Sequence, residues 1–245
     1  MEFTQRVSIE NRDRTDIYEY VERRGSVDAE EVRQELGFDP SAFGHHLAVL
    51  RRDGYIRKTG DELEISIDTD TGTVHEGDGE TRFTIRPARQ ADLSGLVGLI
   101  RQVADDGSYI EAETVADLID FEEVILRNNE VESRMFFVAT VEDQVVGWVH
   151  LELPEAEKLK HTAKLTIGVL AEYREQGIGE TLLEKGASWA REHGFEKLYN
   201  SIPATNPDAV SFLESHGWEC EATRKGHYRI DDEYVDEVMM AASID

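Results

Sequence analysis

Cysteine is almost missing from this chain: Cys220 is the only one in 245 residues. An intrachain disulfide, a cysteine-ligated zinc cluster and a dithiol redox pair are thereby excluded. Cys220 is expected as a small core residue rather than a nucleophile. Lysine is scarce too. It supplies seven of 26 basic residues, against 52 acidic ones, for a net charge of −26. A dedicated patch for a cationic partner would be clustered, whereas the acid here is spread along the whole chain. That pattern points to a salt-rich cytoplasm, where self-repulsion is screened within about 3 Å at 1 M salt. Apolar residues make up an ordinary 40%, so disorder is excluded. No apolar run is long enough to span a bilayer, and the opening MEFTQRVSIE lacks the basic and apolar regions of a signal peptide. The expectation is a soluble, cytoplasmic protein with no membrane partner. Neither G-x-x-x-x-G-K-[ST] nor G-x-G-x-x-G occurs, which sets aside two nucleotide sites.

The length suggests one or two domains. Residues 68–80 read DTDTGTVHEGDGE, with almost nothing apolar to bury. This divides the chain into 1–68, an acidic linker at 69–80, and 81–245. In the first part Ile17, Tyr20 and Val21 fall at helical spacing within 12–24. Asp28 can cap a short helix ending near Leu36, and Ser41 a third helix carrying Phe43, Leu47 and Leu50. Residues 55–58 and 63–67 read as a hairpin about a 59–61 turn. Three helices and a hairpin resemble a small α+β winged helix-turn-helix, with the third helix as the recognition helix. His45, His46, Arg51, Arg52, Arg57 and Lys58 lie there, yet residues 1–70 hold 10 basic against 17 acidic residues. A nucleic-acid binder usually shows a basic face. Two uses stay open: DNA through residues 41–58, or protein contact, homodimerisation or packing on the second domain. His45 and His46 are adjacent and so point in different directions on a helix, which makes them a poor metal pair. No metal is expected anywhere in the chain.

The richest stretch is 165–184, LTIGVLAEYREQGIGETLLE. A strand-like run reaches Arg174, Gly177 and Gly179, and a helical pattern follows. Glycines let the backbone turn tightly and approach a ligand, and a helix opening there aims its amides at an anion. Around it lie a strand at 81–86, helices from Asp92 and over 111–128, and a hairpin of 135–141 with 145–153. Strands at 162–170 and 197–202, helices at 178–193 and 206–216, and a closing hairpin of 218–230 with 233–242 complete the pattern. The fold class is mixed α/β, in the order β-α-α-β-β-β-α-β-α-β-β.

That order, the R-x-x-G-x-G at Arg174–Gly179, and Asn206, Ala209 and Gly217–Trp218 in place of an N-x-x-A…G-F segment resemble the GNAT superfamily of N-acetyltransferases over about 165 residues. The resemblance implies acetyl-CoA as co-substrate and a primary amine as acceptor. A protein lysine, a polypeptide N-terminus, a polyamine and a small amine all fit. Main-chain groups of Val169, Leu170 and Ala171 would pair with the pantetheine arm, one N–H (Val169's) polarising the thioester carbonyl. Arg174 and the amides of Gln176, Ile178, Glu180 and Thr181, with Gly177 and Gly179, would hold the diphosphate. Asn206 would bond the pantetheine region, or cap its helix, or both. Direct attack of the amine needs a base. Glu152, His150 and His161 are the candidates, with Glu152 preferred; relatives often carry Glu near the position of Lys164. The phenol usual seven residues after the Asn is replaced by Leu213. Tyr228, or Tyr234, would then protonate the thiolate, unless solvent does. The alternative function is a transcription regulator that senses acetyl-CoA without efficient turnover.

Overall fold

A computed structural model describes residues 9, 11–66, 72–77, 81–105, 109–129, 133–154 and 156–244. Helix α1 (Arg12–Arg24) is capped by Asn11 and ends at Gly25, where φ is 72°. Strand β1 (Ser26–Asp28) leads into α2 (Ala29–Glu35), and Asp28 caps that helix as expected by accepting from the amides of Glu30 and Glu31. Helix α3 (Pro40–Arg52) starts one residue before the expected cap. Asp39, not Ser41, accepts the free amides, and Pro40 fills the first position, where a missing N–H costs nothing. Strands β2 (Ile56–Thr59) and β3 (Glu62–Ile65) form the hairpin, and β1 pairs with β3 into a small sheet ordered β1-β3-β2. Ile17, Val21, Val32, Leu50 and Leu63 fill its core.

The stretch expected as a linker contains a strand. Residues of β4 (Thr73–Glu76) pair antiparallel with β5 (Arg82–Pro87), so the acidic segment extends the large sheet at its edge. Helices α4 (Leu93–Ala104) and α5 (Ile110–Glu122) follow. The second expected helix was to run to 128, but it stops at Glu123, which is left-handed at φ 56°. The reason lies in a distant residue. Arg134, 1% exposed, donates to the carbonyls of Val124 and Ile125 and to Glu122, and so peels the chain off the helix. The released residues form β6 (Arg127–Asn128) against β7 (Ser133–Val141).

Strand β8 (Gln144–Leu153) returns through a turn in which Glu142 and Asp143 have φ of 49° and 66°. Strand β9 (Thr162–Val169), α6 (Ile178–Glu192), β10 (Lys197–Pro203), α7 (Pro207–Ser215), β11 (Glu219–Ile230) and β12 (Glu233–Ser243) complete the expected order. The sheet runs β11-β12-β10-β9-β8-β7-β5-β4. Helix α6 lies close on one face because Gly186 has no side chain: a Cβ there would meet Val149 at 2.9 Å. Gly168 does the same for Trp148, whose ring occupies the place of its Cβ at 2.2 Å. Cys220, expected in the core, is exposed on the outermost strand β11, which shows most of its length to solvent.

The N-terminal helices and hairpin are docked on this sheet by polar contacts. Glu22 of α1 is buried; its Oε1 accepts from Asn129 Nδ2 at 2.8 Å and lies 3.4 Å from Arg127 Nη1. Arg127 also donates to the Glu22 carbonyl, and Glu64 accepts from the amide of Gln90. Arg127 and Arg134 share Glu122. Burial pushes the Glu122 carboxyl up, but the two guanidinium groups outweigh it and hold it below its ordinary value. A buried chain of alternating charge thus runs from α1 to β7.

Candidate active site

Strands β9 and β10 are parallel neighbours only over Lys197–Tyr199 and Thr162–Lys164. Beyond those pairs β9 continues to Val169 and β10 to Pro203, so the two strands part and a gap opens between them. On the other side of β9, Leu170 N–H donates to Val146 of β8 at 3.0 Å. Main-chain groups alternate along a strand, so those of Ile167 and Val169 face the gap. A cleft of about 880 Å³ lies along this end of β9 and reaches α7, lined by Tyr109, Ile167, Val169, Arg174, Gly177, Gly179, Asn206 and Phe212 among others.

At the end of β9 the chain makes a short turn at Ala171–Tyr173 and then two left-handed residues, Glu175 (φ 59°) and Gly177 (φ 79°). Gly177 is the N-cap of α6, and Thr181 N–H finds its carbonyl at 3.0 Å. Among the described residues the amides of Ile178, Gly179 and Glu180 have no backbone partner, as a helix start requires. The structure therefore narrows the expected cradle. The amides of Leu170 and Thr181 are already bonded within the fold, and the Val169 carbonyl accepts from Arg174 Nε at 3.0 Å. What borders the cleft is Val169, the start of α6 at Gly179 and Glu180, and the rest of the Arg174 guanidinium. Gln176 ties its side chain back to the Glu172 carbonyl. Asn206 does what its capping role predicts, accepting from Ala209 N–H at 3.1 Å, and lines the cleft as well. Tyr109 was not singled out from the sequence. Burial pushes its phenol up to about 12, against the pull of Arg174.

The proposed proton-transfer residues lie on the other face of the sheet. Gly186 of α6 packs on Val149 and Leu165, so alternation puts His150, Glu152, Lys164 and Thr166 on the opposite side, toward α5. Cα pairing extends this face to Tyr199 and Glu237. His150 is buried, stacked on Phe136 at 4.4 Å, with Nδ1 3.3 Å from Thr166 Oγ1. Burial first, then Arg134 and Lys164, push its imidazole down to about 3. It stays neutral at working pH and lies buried against Phe136, out of a substrate's reach. Glu152 is exposed on β8, opposite Lys164 and Arg134 in the strand pairing, one strand away from the gap. Tyr228 donates its O–H to Glu237 at 3.4 Å, and burial, with Glu237 and Glu111, holds the phenol well above its ordinary value. A phenol so held gives up its proton reluctantly. Tyr234 is 77% exposed. Two carboxylates that the sequence did not reveal stand here: Glu237, buried beside Arg224 and Tyr228, and Glu111, ion-paired to Lys164.

The family model described as "Acetyltransferase (GNAT) family" matches residues 103–218. The chain is similar to an N-alpha-acetyltransferase of Saccharolobus solfataricus, 27% identical over 164 residues, covering 62% of this chain and 90% of that one. An N-alpha-acetyltransferase of Sulfurisphaera tokodaii is 28% identical over 173 residues, covering 66% and 93%. The fold is that of a Salmonella typhimurium acetyltransferase solved with its cofactor acetyl-CoA, at a TM-score of 0.54, 16% identity, and coverage of 66% of this chain and 94% of that one. The family matched and these relatives are acetyltransferases, and a parting sheet beside an open helix start is compatible with that class of enzyme. Residues 103–218 match the acetyltransferase (GNAT) family, and the chain is similar to N-alpha-acetyltransferases.

Proposed function

We propose that residues 81–245 transfer an acetyl group from acetyl-CoA to the primary amine of an acceptor, and that the acceptor is a polypeptide α-amine. The observation that carries this reading is the cleft beside the end of β9 that parts from β10, bordered by the open start of α6. The two archaeal N-alpha-acetyltransferases support the choice of acceptor.

The residues fit the co-substrate. Gly177 supplies the left-handed turn that aims the amides of Ile178, Gly179 and Glu180 at a diphosphate, and Arg174 adds charge-assisted donors. Glu175 and Glu180 border the same cleft, so the attraction rests on the helix amides and the guanidinium rather than on a basic surface. An extended arm between the strands can pair with the main-chain groups of Ile167 and Val169 as an added strand does. The Val169 N–H would meet charge developing on the thioester oxygen. Acetyl-CoA supplies the activated carbonyl. Because a thiol has a pKa near 8.5, its thiolate leaves readily and can be protonated by solvent. Tyr228 is then needed to position Glu237 rather than to donate a proton.

Residues 1–68 we read as a winged-helix-like module that packs against the enzyme domain. A DNA role through residues 41–58 finds little support in the local charges. Arg52 is paired with Asp53, Arg57 with Glu64, Lys58 with Asp61, and His46 lies 3.5 Å from Asp13. The salt-rich cytoplasm inferred from composition belongs to the same reading.

The test is release of free coenzyme A from acetyl-CoA by the full chain in molar KCl, with peptides bearing a free or a blocked α-amine. Release with the free amine only is expected. An acetyl-CoA sensor, favoured by a Tyr228 phenol already engaged by Glu237, would bind acetyl-CoA and release nothing with any amine.

A further inference from the structure

The gap between β9 and β10 closes at Lys164 and Tyr199, the last residues the two strands pair. The first turn of α5 lies over that closing point. There Lys164 Nζ binds Glu111 Oε2, while Tyr109, two residues earlier, lines the cleft. The Glu111 side chain is 23% exposed, and its Oε1 has no hydrogen-bond partner among the described residues. The other carboxylates on this face are less suited. Glu152 lies one strand further out, beyond Lys164. Glu237 is 2% exposed, and Arg224, His227 and Tyr228 already surround it.

We propose that Glu111 is the proton acceptor for the attacking amine, and that Lys164 positions it. The inference rests on the acetyl-transfer reading and adds a residue and a substrate condition to it: the acceptor arrives as an ammonium. The α-amino group, with a pKa near 8, is mostly protonated at neutral pH. Its proton passes to Glu111 Oε1, directly or through one water. The freed lone pair forms the C–N bond at the thioester carbonyl, the C–S bond breaks, and the electron pair leaves on sulfur. The second proton lost by nitrogen goes to the thiolate, and Glu111 returns its own to solvent. Acetyl-CoA and an ammonium thus give an acetamide, coenzyme A and one proton. Lys164 holds the carboxylate in place between turnovers.

The experiment compares Glu111→Gln with the parent chain on two acceptors: a peptide α-amine, and a hydrazide, whose nitrogen is already neutral at pH 7. A positioned base contributes about a hundredfold or more. The kcat for the peptide should fall by that order, the kcat for the hydrazide should change little, and acetyl-CoA affinity by calorimetry should hold. Lys164→Met breaks the same ion pair but leaves the carboxylate, so the peptide kcat should fall several-fold, well short of the loss in Glu111→Gln. Equal losses on both acceptors, equal losses in the two variants, or an unchanged peptide rate in Glu111→Gln would each overturn the assignment. Loss of acetyl-CoA affinity in Glu111→Gln would show a structural strut instead, which also overturns it. A parent chain inactive on every amine would instead count against the acetyl-transfer reading itself.

Discussion

Gly177→Val abolishes measurable acetyl-CoA binding in calorimetry while leaving the far-UV circular dichroism of the chain in place. The expectation comes from backbone shape, not from crowding. Nothing lies within 4 Å of a Cβ built on Gly177, but its φ is 79°. A β-branched residue is a genuine outlier there, at a cost of about 1–2 kcal/mol for the left-handed conformation. The turn would relax to negative φ, and the amides of Ile178, Gly179 and Glu180 would swing away from the cleft. Gly179→Ala is a useful contrast. Its φ is not positive, and a new Cβ would stand 3.5 Å from Phe212, an ordinary contact. The melting temperature of that variant should stay near that of the parent. Full acetyl-CoA affinity in Gly177→Val would remove the diphosphate from the start of α6.

Arg134→Met carries the largest expected loss of stability. The guanidinium is 1% exposed and holds the carbonyls of Val124 and Ile125 together with the Glu122 carboxylate. Removing it leaves the two carbonyls without their donor and Glu122 with Arg127 alone to offset its charge, at a cost of about 3–5 kcal/mol. For a domain of this size that is a fall in melting temperature of roughly 10 °C. Glu122→Gln keeps the shape and removes the charge, so it should recover part of the loss when combined with Arg134→Met. A melting temperature unchanged in Arg134→Met would mean that the end of α5 is held by something else.

The contrast between these residues shows what the sequence can disclose. Gly177 and Gly179 were legible because the requirement is local: a strand, a turn and a helix start in consecutive residues. Asn206 was legible for the same reason, as a cap three residues before the amide it accepts. Asp39 could have been read ahead of Ser41, since an acid followed by proline is itself a helix-start signal. The true end of α5 could not, because the apolar spacing continues past Glu122 and the residue that ends the helix is on another strand. Strand β4 was hidden since it exists only by pairing with β5, and its side chains are mostly exposed. A small apolar side chain such as that of Cys220 suits a core, but strand β11 lies at the sheet edge and is exposed along most of its length. Glu111 escaped notice for the plainest reason. It meets Lys164 from 53 residues away, and no spacing rule relates a helix start to a strand at that distance.

The central claim is most directly tested by a crystal structure of the full chain with coenzyme A. The diphosphate is expected on the amides of residues 178–180 beside Arg174, and the pantetheine arm between β9 and β10 along Ile167 and Val169. Coenzyme A bound at any other face of the sheet, or a β9–β10 gap that stays empty at saturating ligand, would contradict it.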